Sequence, residues 1–178
     1  TFVPETLRQV AQVREAQIPG PAGPIPVRIY TSFGPTPIPV LLFFHGGGWV
    51  VGDLESYDGL CRRLCAGARC TVVSVAYRLA PEHPFPAALE DAWAVASEIA
   101  QGSGTFGGDG RLVVVGDSAG GNLTANLSRM AGAKALPGLM AQILFYPALN
   151  LADMDGPAYR AYAQNDVLSR ADMLWYRQ

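Results

Sequence analysis

Apolar residues along this chain follow two spacings. Short, largely apolar runs with β-branched side chains recur at residues 40–44, 71–76 and 111–115, and a further strand is read at 139–146. The first three, bounded by turn residues, read as strands buried on both faces. The segments between them carry apolar side chains at helical spacing. These are residues 53–68 (Leu60, Cys61, Leu64), 87–100 (Leu89, Trp93, Ala96) and the stretch from the end of the third run to about Ala131. Near the start, residues 25–30 alternate and pair as an antiparallel hairpin with a strand at 13–18, across a proline- and glycine-rich turn at 19–24. A short helix is predicted over residues 5–13. The repeated strand–helix order predicts one α/β domain over residues 1–178, a mostly parallel sheet with helices on both faces. Residues 150–178 leave that pattern: a turn at 153–156, then a loop and a helix starting near Ser169, a good N-cap with Asp172 three residues on.

Two of the predicted strands run into chemistry. The run ending at Val115 is followed by Gly116, Asp117, Ser118, Ala119, Gly120, Gly121 and then by helix-forming residues. A serine on a tight strand-to-helix turn needs small neighbours two positions away on each side, and Gly116 and Gly120 supply that space. G-x-S-x-G at such a junction is the nucleophile elbow of an α/β-hydrolase; the plainer alternative is a glycine-rich turn with an incidental serine. The run ending at Phe44 leads into His45, Gly46, Gly47, Gly48 and Trp49. Backbone N–H groups without side-chain cover can approach a ligand oxygen closely. Together with the N–H after the nucleophile, such a loop stabilises the oxyanion of acyl transfer.

With Tyr77, Arg78, Leu79, Ala80, Pro81 and Glu82 between them, these motifs resemble the bacterial hormone-sensitive-lipase-like carboxylesterases, from about Ile18 to about Pro147. The resemblance implies the α/β-hydrolase fold and Ser118 as nucleophile. It also implies an oxyanion hole from the N–H groups of Gly47, Gly48 and Ala119, short-to-medium acyl esters as substrates, and no metal or organic cofactor. A helix in the last thirty or so residues would belong to the lid region, beginning near residue 150.

Composition narrows the partners. The 178 residues are 49% hydrophobic and 16% charged with a net charge of −2, as expected of one globular domain. No Lys/Arg run suggests nucleic acid, and no apolar stretch reaches the roughly 18 residues of a membrane span. Cys61, Cys65 and Cys70 make neither a disulfide framework nor a metal site. They read as buried free thiols in a reducing cytoplasm, which is the expected location.

A serine nucleophile needs a base, and the triad order in this fold is Ser, then Asp or Glu, then His. No histidine follows Ser118; the two present are His45 and His83. Either the triad Asp and His lie outside these residues, the C-terminal strands being absent, or an upstream histidine has been recruited. The first is the expectation, and it makes the chain alone a weak or inert hydrolase. On this reading His45 holds the glycine loop and His83 belongs to a structural loop. Asp117 caps or packs, Asp91 pairs with a loop or faces solvent, Arg78 and Glu82 form an ion pair, and Trp49 and Tyr77 line the acyl pocket or pack. Asp166 lies too near the lid to serve as the triad acid. A sheet ending at its fifth or sixth strand would expose an apolar edge, to be covered by a missing half or a second copy. Two alternatives stay open. One is a ligand-binding protein on the same fold without the base, as in plant hormone receptors that resemble this family. The other is an amidase or acyltransferase using the same elbow.

Overall fold

The alternation within the apolar runs decides which side of the sheet each residue serves. In β3 (Ile38–Phe44), Val40, Leu42 and Phe44 point into one core and Leu41 and Phe43 into another. β4 (Thr71–Val75) and β5 (Gly108–Asp117) divide likewise: Val73, Val75 and Val114 go one way, Val72 and Val115 the other. A strand apolar on both faces requires cover on both. α1 (Asp58–Ala68) buries Cys61 and Cys65 against one face; α2 (Ala87–Gln101) and α3 (Ser118–Lys134) cover the other with Ala92, Val95, Ile99, Leu123 and Leu127. The computed structural model of the chain describes residues 7–35, 38–164 and 168–177. Among them, six strands form one sheet in the order β1-β2-β4-β3-β5-β6, where β1 is Gln12–Gly20, β2 Gly23–Thr31 and β6 Leu139–Phe145. β1, β2 and β4 pair antiparallel; β4, β3, β5 and β6 are parallel.

This order has a consequence for chemistry. The chain leaves β3 for β4 on one side and returns to β5 on the other, so the C-terminal ends of β3 and β5 sit side by side, with Phe44 in register with Gly116. Crevices at such a reversal of strand order are where open α/β sheets bind ligands. Here the reversal places the glycine loop beside the serine turn.

Several expectations need correction. No helix forms over the described part of residues 5–13; Gln12 already opens β1 and Val13 pairs with Tyr30. Sheet pairing overrides a helical spacing that the segment alone allows. The helix expected over 53–68 starts at Asp58, because the Asp53 carboxylate accepts the Ser56 N–H at 2.7 Å and holds a turn there. A short helix, α4 (Pro157–Ala161), was not anticipated, although proline at a first helical position is a start signal. The helix near Ser169 is present as α5 (Arg170–Tyr176), with Ser169 and Asp172 forming a reciprocal capping box. The apolar edge is present too: on β6, Met140, Ile143 and Phe145 are exposed. No helix among the described residues is long and apolar enough to cross a membrane.

Arg78 does not pair with Glu82. Its guanidinium lies 2.8 Å from the Asp91 carboxylate and 3.3 Å from Glu90, and its backbone N–H also donates to Asp91. Asp91 is 1% exposed, so its charge draws in the donors that the 77–86 loop can offer. Removing one partner of a buried pair leaves the other uncompensated. Asp91→Ala is therefore expected to destabilise the fold by about 2–4 kcal/mol, discounted for the partial exposure of Arg78 and read from urea unfolding midpoints. Cys61, Cys65 and Cys70 are free and buried, and burial pushes their thiols up to about 12, 11 and 12.

Candidate active site

Ser118 occupies the first position of α3, directly after β5, with φ at +51°. That left-handed conformation costs a non-glycine residue on the order of 1–3 kcal/mol and persists only where its surroundings hold it. The surroundings here are backbone. A Cβ on Gly116 would strike Gly120, and one on Gly120 would strike the Phe44 carbonyl. The first turn of α3 thus lies directly on the end of β3. Ala119, next along, is 1% exposed, and as one of the first N–H groups of a helix it has no intrahelical acceptor.

The glycine loop is held peptide by peptide. The His45–Gly46 peptide is gripped from both sides. Tyr77 Oη donates to the His45 carbonyl at 2.7 Å, while the Gly46 N–H donates to Asp117 Oδ1 at 2.9 Å and to Tyr57 Oη at 3.1 Å. The Gly46 carbonyl accepts from His45 Nδ1 at 2.7 Å, and the Gly47 carbonyl accepts the N–H groups of Val50 and Val51 at 3.1 and 3.0 Å. In a planar trans peptide the N–H points opposite to the C=O. Holding those two carbonyls therefore points the N–H groups of Gly47 and Gly48 away from these bonds. Gly47 has φ at +118° and Gly48 at +61°, which glycine adopts without strain.

His45 is buried, stacked 4.3 Å from the Tyr77 ring. A carbonyl only accepts, so Nδ1 carries the ring proton. This is the loop-holding role expected for it, and Tyr77 packs rather than lining a pocket. Burial lowers the His45 pKa below its usual 6.5, against the opposing pull of the Gly46 carbonyl and the charges of Asp117 and Asp53. The unfolded chain then takes up the proton first. The resulting stability is complete above pH 6.5 and is lost as the pH falls from there through the folded value. The urea midpoint is expected to drop between pH 7 and pH 5, and to drop less in His45→Asn.

Beside this centre lies a cleft of about 310 Å³ lined by Trp49, Phe85, Leu89, Leu123 and Tyr176, with His83 and Asn122 among its polar groups. Asn122, which lines the cleft, stands one helical turn beyond Ser118, and Trp49, which also lines it, follows Gly48 in the chain. The Tyr176 ring lies where a Cβ on Gly48 would stand, so α5 packs over the loop. His83 is exposed, and its backbone N–H donates to Leu79. Asp166 lies outside the described residues. No cluster of three His, Cys, Asp or Glu side chains able to hold a metal occurs among the described residues. Asp117 is at the N-cap position of α3 but makes no side-chain cap bond; it packs, and its carboxylate goes to the glycine loop. Tyr57 was not singled out from the sequence, and no local pattern there points to it.

Residues 41–178 match a family described as having the alpha/beta hydrolase fold. The chain belongs to the α/β-hydrolase family. Within it, the chain is 46% identical over 161 residues to esterase LipI of Mycobacterium tuberculosis, covering 88% of this chain and 50% of that protein. It is 44% identical over 172 residues to the carboxylic ester hydrolase LipN of the same organism, covering 92% and 45%. Its fold superposes on a hyperthermophilic esterase from the archaeon Pyrobaculum calidifontis with a TM-score of 0.92 at 39% identity, covering 96% of this chain and 57% of that one. The chain thus spans about half the length of the curated relatives it matches. The expected hydrolase fold, mostly parallel and with helices on both faces, and the kinship with hormone-sensitive-lipase-like esterases hold.

Proposed function

We propose that this α/β-hydrolase chain carries the nucleophile and oxyanion hole of a serine carboxylesterase acting on short-to-medium acyl esters. Ser118 Oγ attacks the ester carbonyl, forming a C–O bond, and the resulting oxyanion is held by the N–H groups of Gly47, Gly48 and Ala119. Collapse of the intermediate breaks the ester C–O bond and expels the alcohol, which takes up the proton given up by Ser118. Water then attacks the acyl-enzyme and releases the acid. The observation that carries this reading is the strained +51° backbone of Ser118, held beside a loop whose Gly46 and Gly47 carbonyls are both engaged, leaving the Gly47 and Gly48 N–H groups directed away from those bonds.

Neither histidine of the chain suits the role of general base: His45 is committed to the Gly46 carbonyl, and His83 sits on a solvent-facing loop. We assign the base and its carboxylate to residues outside the 178, a reading supported by the length of the relatives. α4 and α5 are read as part of a lid, with Tyr176 over Gly48. The expected mode of ligand contact is an apolar acyl or alkoxy group in the cleft beside Trp49. Incubation of a protein that includes this chain and the downstream segment with p-nitrophenyl butyrate, quenched within the first turnovers and followed by intact-mass measurement, tests the proposal: a butyryl adduct on Ser118, absent in Ser118→Ala, is the expected result. Tight binding of an ester without adduct or turnover, in a protein that includes the downstream segment, would instead favour a ligand-binding role.

A further inference from the structure

Asp117 is a carboxylate at 7% exposure whose hydrogen-bond partners are neutral groups. Both its oxygens are engaged: Oδ1 accepts the Gly46 N–H at 2.9 Å and Oδ2 accepts the Tyr57 hydroxyl at 3.0 Å. Tyr57 Oη in turn accepts the same Gly46 N–H. The three groups close a ring across segments 71 and 60 residues apart in sequence. A Cβ on Gly46 would run into the Asp117 carboxylate, so the contact is tight as well as hydrogen-bonded.

The position of Asp117 makes this ring more than packing. It is the residue covalently next to Ser118, and it grips the peptide directly before the one that presents the Gly47 N–H. Geometry alone links the nucleophile to the oxyanion donors through this side chain. Its charge argues against an electrostatic role, since a carboxylate near a developing oxyanion raises the energy of that oxyanion. What the site gains is an acceptor of the right length. We infer that Asp117 and Tyr57 are positioning residues that set the distance between Ser118 and the amide donors of Gly47 and Gly48 through their shared grip on the Gly46 N–H. This rests on the esterase reading for its catalytic consequence, though not for its structural one.

The test separates the two. In the 15N-glycine-labelled chain, Asp117→Ala and Tyr57→Phe are expected to move the amide resonances of Gly46, Gly47 and Gly48 while those of Gly132 and Gly156 stay in place. Asp117→Asn, which keeps an oxygen for the Gly46 N–H, is expected to restore the wild-type positions. In the esterase that carries this chain, p-nitrophenyl butyrate kinetics for Tyr57→Phe and Asp117→Ala should show kcat lowered about 10²-fold with KM unchanged, because the oxyanion exists only after attack. Asp117→Asn should keep kcat within a few-fold of wild type or raise it. Should Asp117→Ala fail to fold, Tyr57→Phe carries the test alone. Unmoved Gly47 and Gly48 resonances, an unchanged kcat where they do move, or Asp117→Asn as damaging as Asp117→Ala would overturn the inference. A protein whose turnover does not depend on Ser118 would sink the esterase reading and leave the resonance result standing.

Discussion

On the esterase reading, Ser118→Ala is expected to lower kcat for p-nitrophenyl butyrate by on the order of 10⁴-fold or more in a protein that joins this chain to a segment supplying the base, with KM nearly unchanged. Covalent catalysis through a serine concentrates its effect in that one oxygen: deleting it removes the acyl-enzyme route altogether, and what survives comes from binding and the oxyanion donors. Ser118 is also a safe position to truncate, since the backbone that strains it is held by Gly116, Gly120 and the Phe44 carbonyl rather than by its own hydroxyl. A loss of activity with an unchanged melting temperature therefore reads as chemistry. The same comparison in the 178-residue chain locates the base. Little or no turnover is expected, because the Nδ1 proton of His45 is bound to a carbonyl and its Tyr77-stacked ring is buried. Brisk turnover that vanishes in Ser118→Ala would mean that His83, which lines the cleft, serves as base.

Much of this architecture is written in local pattern. The apolar runs at 40–44, 71–76 and 111–115 had to be central strands, since residues apolar at successive positions need cover on both sides, and α1 opposite α2 and α3 supplies it. The serine turn and the glycine loop were legible for a related reason: both depend on backbone approach, which forces glycine at fixed offsets. What was not legible is pairwise and long-range. Strand order cannot be read from periodicity, and it is the β4-β3-β5 order that brings His45 and Ser118 to one edge. Arg78 had an acidic neighbour at Glu82 in sequence and a better one at Asp91 in space, where burial raises the cost of leaving the carboxylate unpaired. Tyr57 carries no local mark, because its partner lies 60 residues away. The helix expected over 5–13, absent from its described part, belongs to the same class: Val10 and Val13 fit a helical face, but β2 offered a strand to pair with.

Gly120→Ala is expected to destabilise the chain by about 3 kcal/mol or more, whereas Gly132→Ala in the same helix is expected to stabilise it by up to about 1 kcal/mol. Both substitutions gain the same helix propensity, since alanine exceeds glycine in a helix interior by about 1 kcal/mol. They differ in what the new methyl meets. At Gly132 there is nothing within 4 Å. At Gly120 the methyl would land on the Phe44 carbonyl oxygen, with the His45 carbonyl oxygen at 2.6 Å. Both obstacles are backbone, held by the β3–β5 pairing and by the Tyr77 bond to His45, so no side chain can rotate away. Relief requires α3 to lift from the end of β3, which carries Ser118 away from the Gly47 and Gly48 amides. Stability and acyl transfer should then fall together in Gly120→Ala, in contrast to Ser118→Ala, where only activity falls. Urea melts of the two glycine variants decide it. A Gly120→Ala midpoint equal to that of Gly132→Ala would mean that the helix does not rest on the β3 backbone, and the close approach of the two motifs would need another cause.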